Sequence, residues 1–322
     1  MEVKEVKKKL IHLGKDYLVW HYTFPDVFIK LLNNEIYATH YRYLNDDMEI
    51  SYAHKVCQNF IENEINSNQL ESFNKALLNQ DIFVMCFSTI KDSLPQWRAY
   101  TSKYEGGFAI GFSRNKLCSA LNDYTNSNDC DKQKYGIAWS WIKCRYSEDH
   151  LLHRLQALKR LADKNPTLSP SLKLFLKGLS NNTSLSEGKS QELINVIQKI
   201  IKDCNRECTM ISAFLGMALM YKHPTFSTEC EERILGLGIN PKGIEDIGGS
   251  FDIQSNHRRQ IEYIGKKPRI KIPITSVRDC IEYVMVSPHG NKDRNKLLAE
   301  LFRDKYDLKF DIEMSSSPYN GN

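Results

Sequence analysis

Apolar and polar positions change period several times along this chain, and each change marks an element. YLVWHY (17–22) is a short β-prone run, and Thr23-Phe24-Pro25-Asp26 behind it reads as a strand end passing into a short helix capped near Asp26. From Asp46 onward Ile50, Ala53, Val56, Cys57, Phe60 and Ile61 recur at helical spacing, behind acidic residues that suit a helix N-terminus. IFVMCFS (82–88) and GFAIGF (107–112) are strand-like, and DSLPQWRAYTSKYEGG between them leaves room for a short helix and a turn. The polar stretch NDYTNSNDCDKQK (122–134) reads as a surface loop ahead of a strand within 137–146.

The middle of the chain switches to helical spacing. Leu151, Leu152, Leu155, Leu158 and Leu161 mark one helix, and Ile194, Ile197, Ile201, Cys204, Cys208, Ile211, Leu215 and Leu219 a longer one. Between them 163–189 carries Pro166, Pro170, Gly178 and Gly188 among serines and asparagines and reads as an irregular connection. After Pro224 short strands return at 232–238, 260–265, 269–274, 281–287 and 308–314, with a helix over 292–302 before the last. Residues 240–258, with Gly243, Gly248 and Gly249, read as a loop near whatever the fold binds. Strands at both ends and helices between them predict one α+β domain over 1–322 with a mixed, mostly antiparallel core sheet, and 147–223 as a helical insertion.

Composition narrows the class. A chain of 322 residues with 41% hydrophobic and 11% aromatic content can bury a real core, which excludes disorder. No apolar run approaches the ~20 residues of a membrane span, and the lysines of MEVKEVKKKL have no apolar stretch behind them, so the expectation is a cytoplasmic protein off the membrane. The formal charge of +5 permits nucleic-acid contact without arguing for it. Nine cysteines without a C-x-x-C argue against a disulfide framework or a zinc ribbon, and Cys204 with Cys208 on one helix face would need further ligands to hold a metal.

Four short pieces carry candidate chemistry. In Trp20-His21-Tyr22-Thr23, His21 and Thr23 lie two apart on a strand and share a face, where both can hydrogen-bond one polar ligand or simply be bonded within the fold. In Arg42-Tyr43-Leu44-Asn45-Asp46-Asp47-Met48-Glu49, a helix cap at Asn45 or Asp46 closed by Glu49 explains the composition, and a divalent-metal site on Asp46, Asp47 and Glu49 is the rival. Trp97 and Tyr100, three apart on the short helix behind Cys86-Phe87-Ser88, share a face that can stack on a planar ring or pack in a core. In Glu229-Cys230-Glu231-Glu232-Arg233-Ile234, alternation puts Glu229, Glu231 and Arg233 on one face, as a self-satisfied ion pair or as a carboxylate held for chemistry.

Taken in order, WHYT (20–23), LNDDME (44–49), MCFS (85–88), DSLPQWRAY (92–100), GGFAIGF (106–112), FSTECEERI (226–234) and SSSPY (315–319) resemble a bacterial domain-of-unknown-function family, number 2971, over nearly the whole chain. Asp47 and Glu232 stand where that family shows other residues, an aromatic or proline at the first place and an aromatic at the second. More remotely, a strand with His-x-Thr, a short helix, a strand ending Phe-Ser and a late strand opened by Glu is similar to the ADP-ribosyltransferase fold of toxins that modify DNA bases. That likeness implies NAD as co-substrate, His21, Tyr22 and Thr23 with Asn45 and Ser88 about the nicotinamide ribose, Tyr100 or Trp97 against the nicotinamide ring, and Glu231 as catalytic acid with Glu229 and Arg233 beside it. No metal is expected. The acceptor is a nucleic acid or a protein, the setting a toxin or phage-defence system, and an antitoxin or defence-system component a fitting partner.

The chemistry is coherent. Breaking the nicotinamide glycosidic bond puts positive charge on the ribose, which a carboxylate at the 2′-hydroxyl stabilises. Glu229 can then serve as base for the nucleophile, and two neighbouring carboxylates are expected to raise one another's pKa. Two rivals belong to other classes: a non-catalytic nucleotide- or partner-binding module of the same fold, and a metal-dependent nuclease on Asp46, Asp47 and Glu49 with His289. The transferase requires His21, Thr23 and Glu231 about one cleft and fails if they lie on opposite sides of the sheet. The binding module instead has a buried Glu231–Arg233 pair.

Overall fold

The structure, a computed structural model, describes residues 16–44, 81–126, 137–147, 149, 219–238 and 260–319. In chain order these hold β1 (Leu18–Thr23), α1 (Pro25–Leu32), β2 (Tyr37–His40), β3 (Asp81–Ser88), α2 (Leu94–Tyr100), β4 (Phe108–Ser113), α3 (Arg114–Asn126), β5 (Ile137–Lys143), β6 (Glu231–Gly238), β7 (Glu262–Ile264), β8 (Lys267–Lys271), β9 (Ile281–Val286), α4 (Lys292–Lys305) and β10 (Asp311–Met314). The fold is α+β, with a mixed, largely antiparallel sheet: β9 and β10, joined through α4, run parallel, and the other ladders are antiparallel. The helix expected around 50–61, most of the stretch 147–223 and the loop 240–258 lie outside the described residues.

The sheet branches at β3. One edge of β3 pairs with β6 along its whole length, from Asp81↔Gly238 to Ser88↔Glu231, and β5 lies beyond β6. Its other edge is shared. β1 pairs with it at Trp20↔Ser88, and β2 at Thr39↔Val84 and His40↔Phe83, so Met85 to Phe87 fall between the two ladders. The order therefore runs β10-β9-β4-β1-β3-β2-β8-β7, with β6 and β5 off the path.

Two apolar cores explain why β1 shows burial on nearly every residue rather than a clean alternation. Val19 joins Ile110, Phe112, Phe83 and Phe87 on one face, where α1 contributes Phe28, Leu31 and Leu32, α3 Leu117 and Leu121, and α4 Ala299. Trp20 and Tyr22 join Trp97 of α2, Ala109 and Met285 on the other. A strand covered on both faces reads as an apolar run. At the far end of β1, Gly107 is required by close approach: an added Cβ would stand 2.4 Å from the Thr23 carbonyl oxygen.

Several elements differ from the pattern reading for local reasons. α1 begins at Pro25, with Phe24 at the cap and no side-chain cap bond, so Asp26 acts in the first turn, where its charge suits the helix dipole. α3 runs on through 122–126, which the polar composition assigned to a loop; the Lys116 amide donates to Ser113 Oγ at its start, and Leu117 with Leu121 anchor one side. β8 starts at Lys267, two residues ahead of expectation, because Gly265 and Lys266 both take positive φ (58° and 64°) and close a two-residue hairpin with β7.

Candidate functional site

The candidate site forms where β6 begins. Ser88 and Glu231 are cross-strand partners, as are Cys86 and Arg233, so their side chains share one face of the sheet. Glu231 is 5% exposed. Arg233, two residues along the same face, clamps its carboxylate with Nε on Oε1 at 2.7 Å and Nη2 on Oε2 at 3.0 Å, and its Nη1 donates to the Leu219 carbonyl at 2.9 Å. The Glu231 amide donates to the Tyr146 hydroxyl at 2.9 Å.

Glu229 enters by another route. Pro224–Glu229 form a short 3-10 helix, and Cys230 turns the chain through a left-handed conformation (φ 43°) before the strand starts. Glu229 is thus not in the alternation of β6 at all. Lys222 brings it back, donating from Nζ to Glu229 Oε2 at 2.7 Å and to Glu231 Oε2 at 3.0 Å. Ser88 fixes the same corner, its hydroxyl donating to the Glu229 carbonyl at 2.8 Å.

The cluster holds two carboxylates, an ammonium and a guanidinium, mostly removed from water. Burial opposes ionisation of Glu231, but Arg233 and then Lys222 outweigh it, and the Cys86 thiol adds a hydrogen bond, so its carboxyl is held down at about 2. This reverses the expected upward shift: the two carboxylates are separated by cations rather than facing one another. Burial, then Cys86, Glu229 and Glu231, push the Tyr100 phenol up, while Lys222 opposes them, so the phenol feels the charges of this cluster. Glu229 keeps 20% of its side chain exposed against 6% for Glu231, so an approaching ligand meets it first.

The remaining residues proposed from sequence divide. His21 and Thr23 alternate with Trp20, so ladder parity puts them on the face opposite Ser88 and Glu231. His21 nevertheless turns into the interval between the two β3 ladders, where Nδ1 donates to the Cys86 carbonyl at 3.0 Å. Burial lowers the pKa of its ring, and Arg269 lowers it further, against that bond. Thr23 is buried where β1 meets Phe108. Tyr22 and Trp97 pack edge to face at 4.8 Å between centroids; the Tyr22 hydroxyl donates to the Ile90 carbonyl and the Trp97 indole to Asp92, so both rings belong to the core under α2. Asn45, Asp46, Asp47 and Glu49 lie outside the described residues. His289 is buried, with Nε2 on the Thr101 hydroxyl at 3.0 Å and its ring against Tyr319. Among the described residues no group of three or more His, Cys, Asp or Glu side chains could hold a metal ion.

Glu232 is a separate matter from Glu231. It points to the opposite face and is fully buried, with its carboxylate accepting from the Tyr17 hydroxyl at 2.5 Å, Arg114 Nε at 3.0 Å and the Trp141 indole at 2.6 Å. Three donors satisfy it within the fold, which makes its role structural.

Lys222, Tyr146 and the Cys86 thiol were not singled out by the sequence reading. Lys222 sits seven residues before Glu229 in a segment read as helical insertion, and local spacing carries no sign that it bridges two carboxylates. The chain doubles back there, with Tyr221 bridged in parallel to Arg145, and that long-range pairing delivers the ammonium. No helix among the described residues is long and apolar enough to cross a membrane. Neither curated proteins nor solved structures yield a match. A model of the protein family of unknown function DUF2971 matches residues 96–234, a segment that takes in most of α2, with Tyr100, and the Glu229–Glu231–Arg233 group.

Proposed function

We propose that this chain is an ADP-ribosyltransferase-like protein that uses NAD, with the Glu229–Glu231 edge of β6 meeting the ribose and His21 turning into the interval in β3; Thr23, buried on the opposite face, is not part of this site, which departs in that respect from the single His21–Thr23–Glu231 cleft expected from sequence. The observation that supports it most is the Glu229–Glu231 carboxylate pair, bridged by Lys222, with Glu231 clamped by Arg233 and the Glu229 carbonyl held by Ser88, one strand away from the interval that His21 enters. Expulsion of nicotinamide breaks the bond from ribose C1′ to the ring nitrogen, the electron pair leaves with nicotinamide, and the positive charge left on the sugar calls for an anion. A carboxylate held near a pKa of about 2 remains an anion at any physiological pH. The acceptor, a nucleic acid or a protein, then bonds to C1′, and its proton passes to Glu229, the more exposed carboxylate. Such an activity fits a toxin or phage-defence effector with an antitoxin or defence-system partner.

A second reading has its own observation. Both oxygens of Glu231 already carry donors, and Thr23 is buried on the other face, which suits a non-catalytic nucleotide- or partner-binding module whose ion cluster is structural. Nicotinamide release from NAD decides between them, measured for the native chain, Glu229→Gln and Glu231→Gln with DNA, RNA and cell lysate each offered as acceptor. Release that one acceptor increases and either substitution abolishes, in a protein with unchanged circular dichroism, supports the transferase. Release that is absent throughout removes it in favour of the binding module, and release indifferent to both substitutions removes the Glu229–Glu231 edge as its site.

A further inference from the structure

β8 carries a guanidinium whose Nε the fold buries without an acceptor. Arg269 lies opposite Thr39 on β2, and Thr39 opposite Val84 on β3, so Arg269 shares the face of the sheet that bears Cys86, Arg233 and Glu231. Its Nε is buried and makes no hydrogen bond. Glu262, its cross-strand partner on β7, could have reached it but directs its carboxylate to the Tyr37 hydroxyl at 3.3 Å. Lys267 stands two residues away on the same face, and across the interval in the β3 edge stands His21. Burial lowers the pKa of both cations, and the charge of Arg269 lowers Lys267 and His21 further, so Arg269 lies within electrostatic reach of each of the other two.

A desolvated donor with no acceptor is destabilising, and proteins keep such groups where something else supplies the acceptor. The chemistry that relieves it is anionic, oxygen-rich and able to take a planar fork of N–H groups, which describes a phosphate. We propose that Arg269, with Lys267 beside it and His21 facing it across the interval in β3, forms an anion site that takes the diphosphate of a nucleotide. Arg269 engages one phosphate through its fork, and Lys267 balances the second as a point charge. The nucleotide identity rests on the reading above; the anion site itself does not. In that arrangement the sugar next to the diphosphate extends along the Cys86 side of β3 toward Glu229 and Tyr100.

Titration calorimetry of the full chain with inorganic pyrophosphate, ADP, adenosine and a single-stranded oligonucleotide tests it. Pyrophosphate and ADP are expected to bind, adenosine at least about tenfold more weakly, and Arg269→Gln to weaken the first two by about tenfold or more, with Arg269→Lys between. His21 should also become easier to protonate when pyrophosphate is added, read from its imidazole resonances, and that response should vanish in Arg269→Gln. Pyrophosphate affinity unchanged in a folded Arg269→Gln protein, no pyrophosphate binding by the native chain, or binding of the oligonucleotide alone would each overturn the site. Pyrophosphate bound by a protein that never releases nicotinamide removes the transferase reading and leaves the site standing. Nicotinamide released at an undiminished rate by Arg269→Gln, with no pyrophosphate bound, does the reverse.

Discussion

Adjacent glutamates on β6 behave differently because strand alternation sends them to different faces. Glu232 is enclosed by Tyr17, Arg114 and Trp141, whereas Glu231 meets Arg233 and Lys222. The unfolded chain ionises Glu231 near the ordinary 4.5 and the folded chain near 2, so the stability this group contributes is present above pH 4.5 and is lost as pH falls toward 2. Glu231→Gln should flatten that part of the acid limb in urea melts at stepped pH. At pH 7 it should destabilise by about 3 kcal/mol, because Arg233 and Lys222 are left buried with half their counter-charge. Lys222→Met makes a complementary prediction. With the bridging ammonium gone, the Glu231 carboxyl should titrate higher than in the native chain, which carbon-13 carboxyl shifts would report; an unmoved titration would mean that Arg233 alone sets its charge state.

At the scale of elements, the pairing of β1 decides what the candidate site can be. Periodicity identified β1, β3, β4, β6 and β9 to within about two residues, because each is an apolar run bounded by turn residues. It missed β2, since YATH is four residues long with only Ala38 buried, and it missed α3, whose last turn it read as part of a surface loop because 122–126 is polar. Nor could it show that β1 touches β3 at one bridge and then yields the β3 edge to β2, which is what admits the His21 ring. Gly107 holds the far end of this arrangement. Gly107→Ala should cost about 1–3 kcal/mol as the Thr23 carbonyl is pushed away, and amide exchange at the β1–β4 ladder should speed up while α4 is unaffected.

For the whole molecule, the C-terminal residues strap the end of the sheet to the turn ahead of α2. After β10 the tail crosses to Asp92, whose carboxylate accepts from the Ser315 hydroxyl, from the Ser316 amide at 2.9 Å and hydroxyl at 3.0 Å, and from the Trp97 indole at 2.7 Å. Tyr319 then lies against His289, with the Arg98 guanidinium 5.1 Å from its ring. Truncation after Met314 removes these serine donors and uncovers the Trp97 side of the smaller core. It should lower stability by about 2–3 kcal/mol in denaturant melts and shift tryptophan emission to the red. A truncated chain as stable as the intact one would show that the strap is a surface ornament and that α2 is held by Tyr22 and Met285 alone.

The α+β class, the positions of most strands and the kinds of residue at the β6 entrance were determined by the sequence itself, because apolar period and turn chemistry are properties of neighbours along the chain. Which carboxylate is buried with which cation was not. Alternation predicted that Glu231 and Arg233 share a face, yet Lys222 arrives through the Arg145–Tyr221 bridge, Glu229 through a left-handed turn at Cys230, and Arg269 through a hairpin that joins β2 from far along the chain. Ion pairs and cross-strand rows depend on distance in space, and only the tertiary pairing of β3 with β1, β2 and β6 sets those distances.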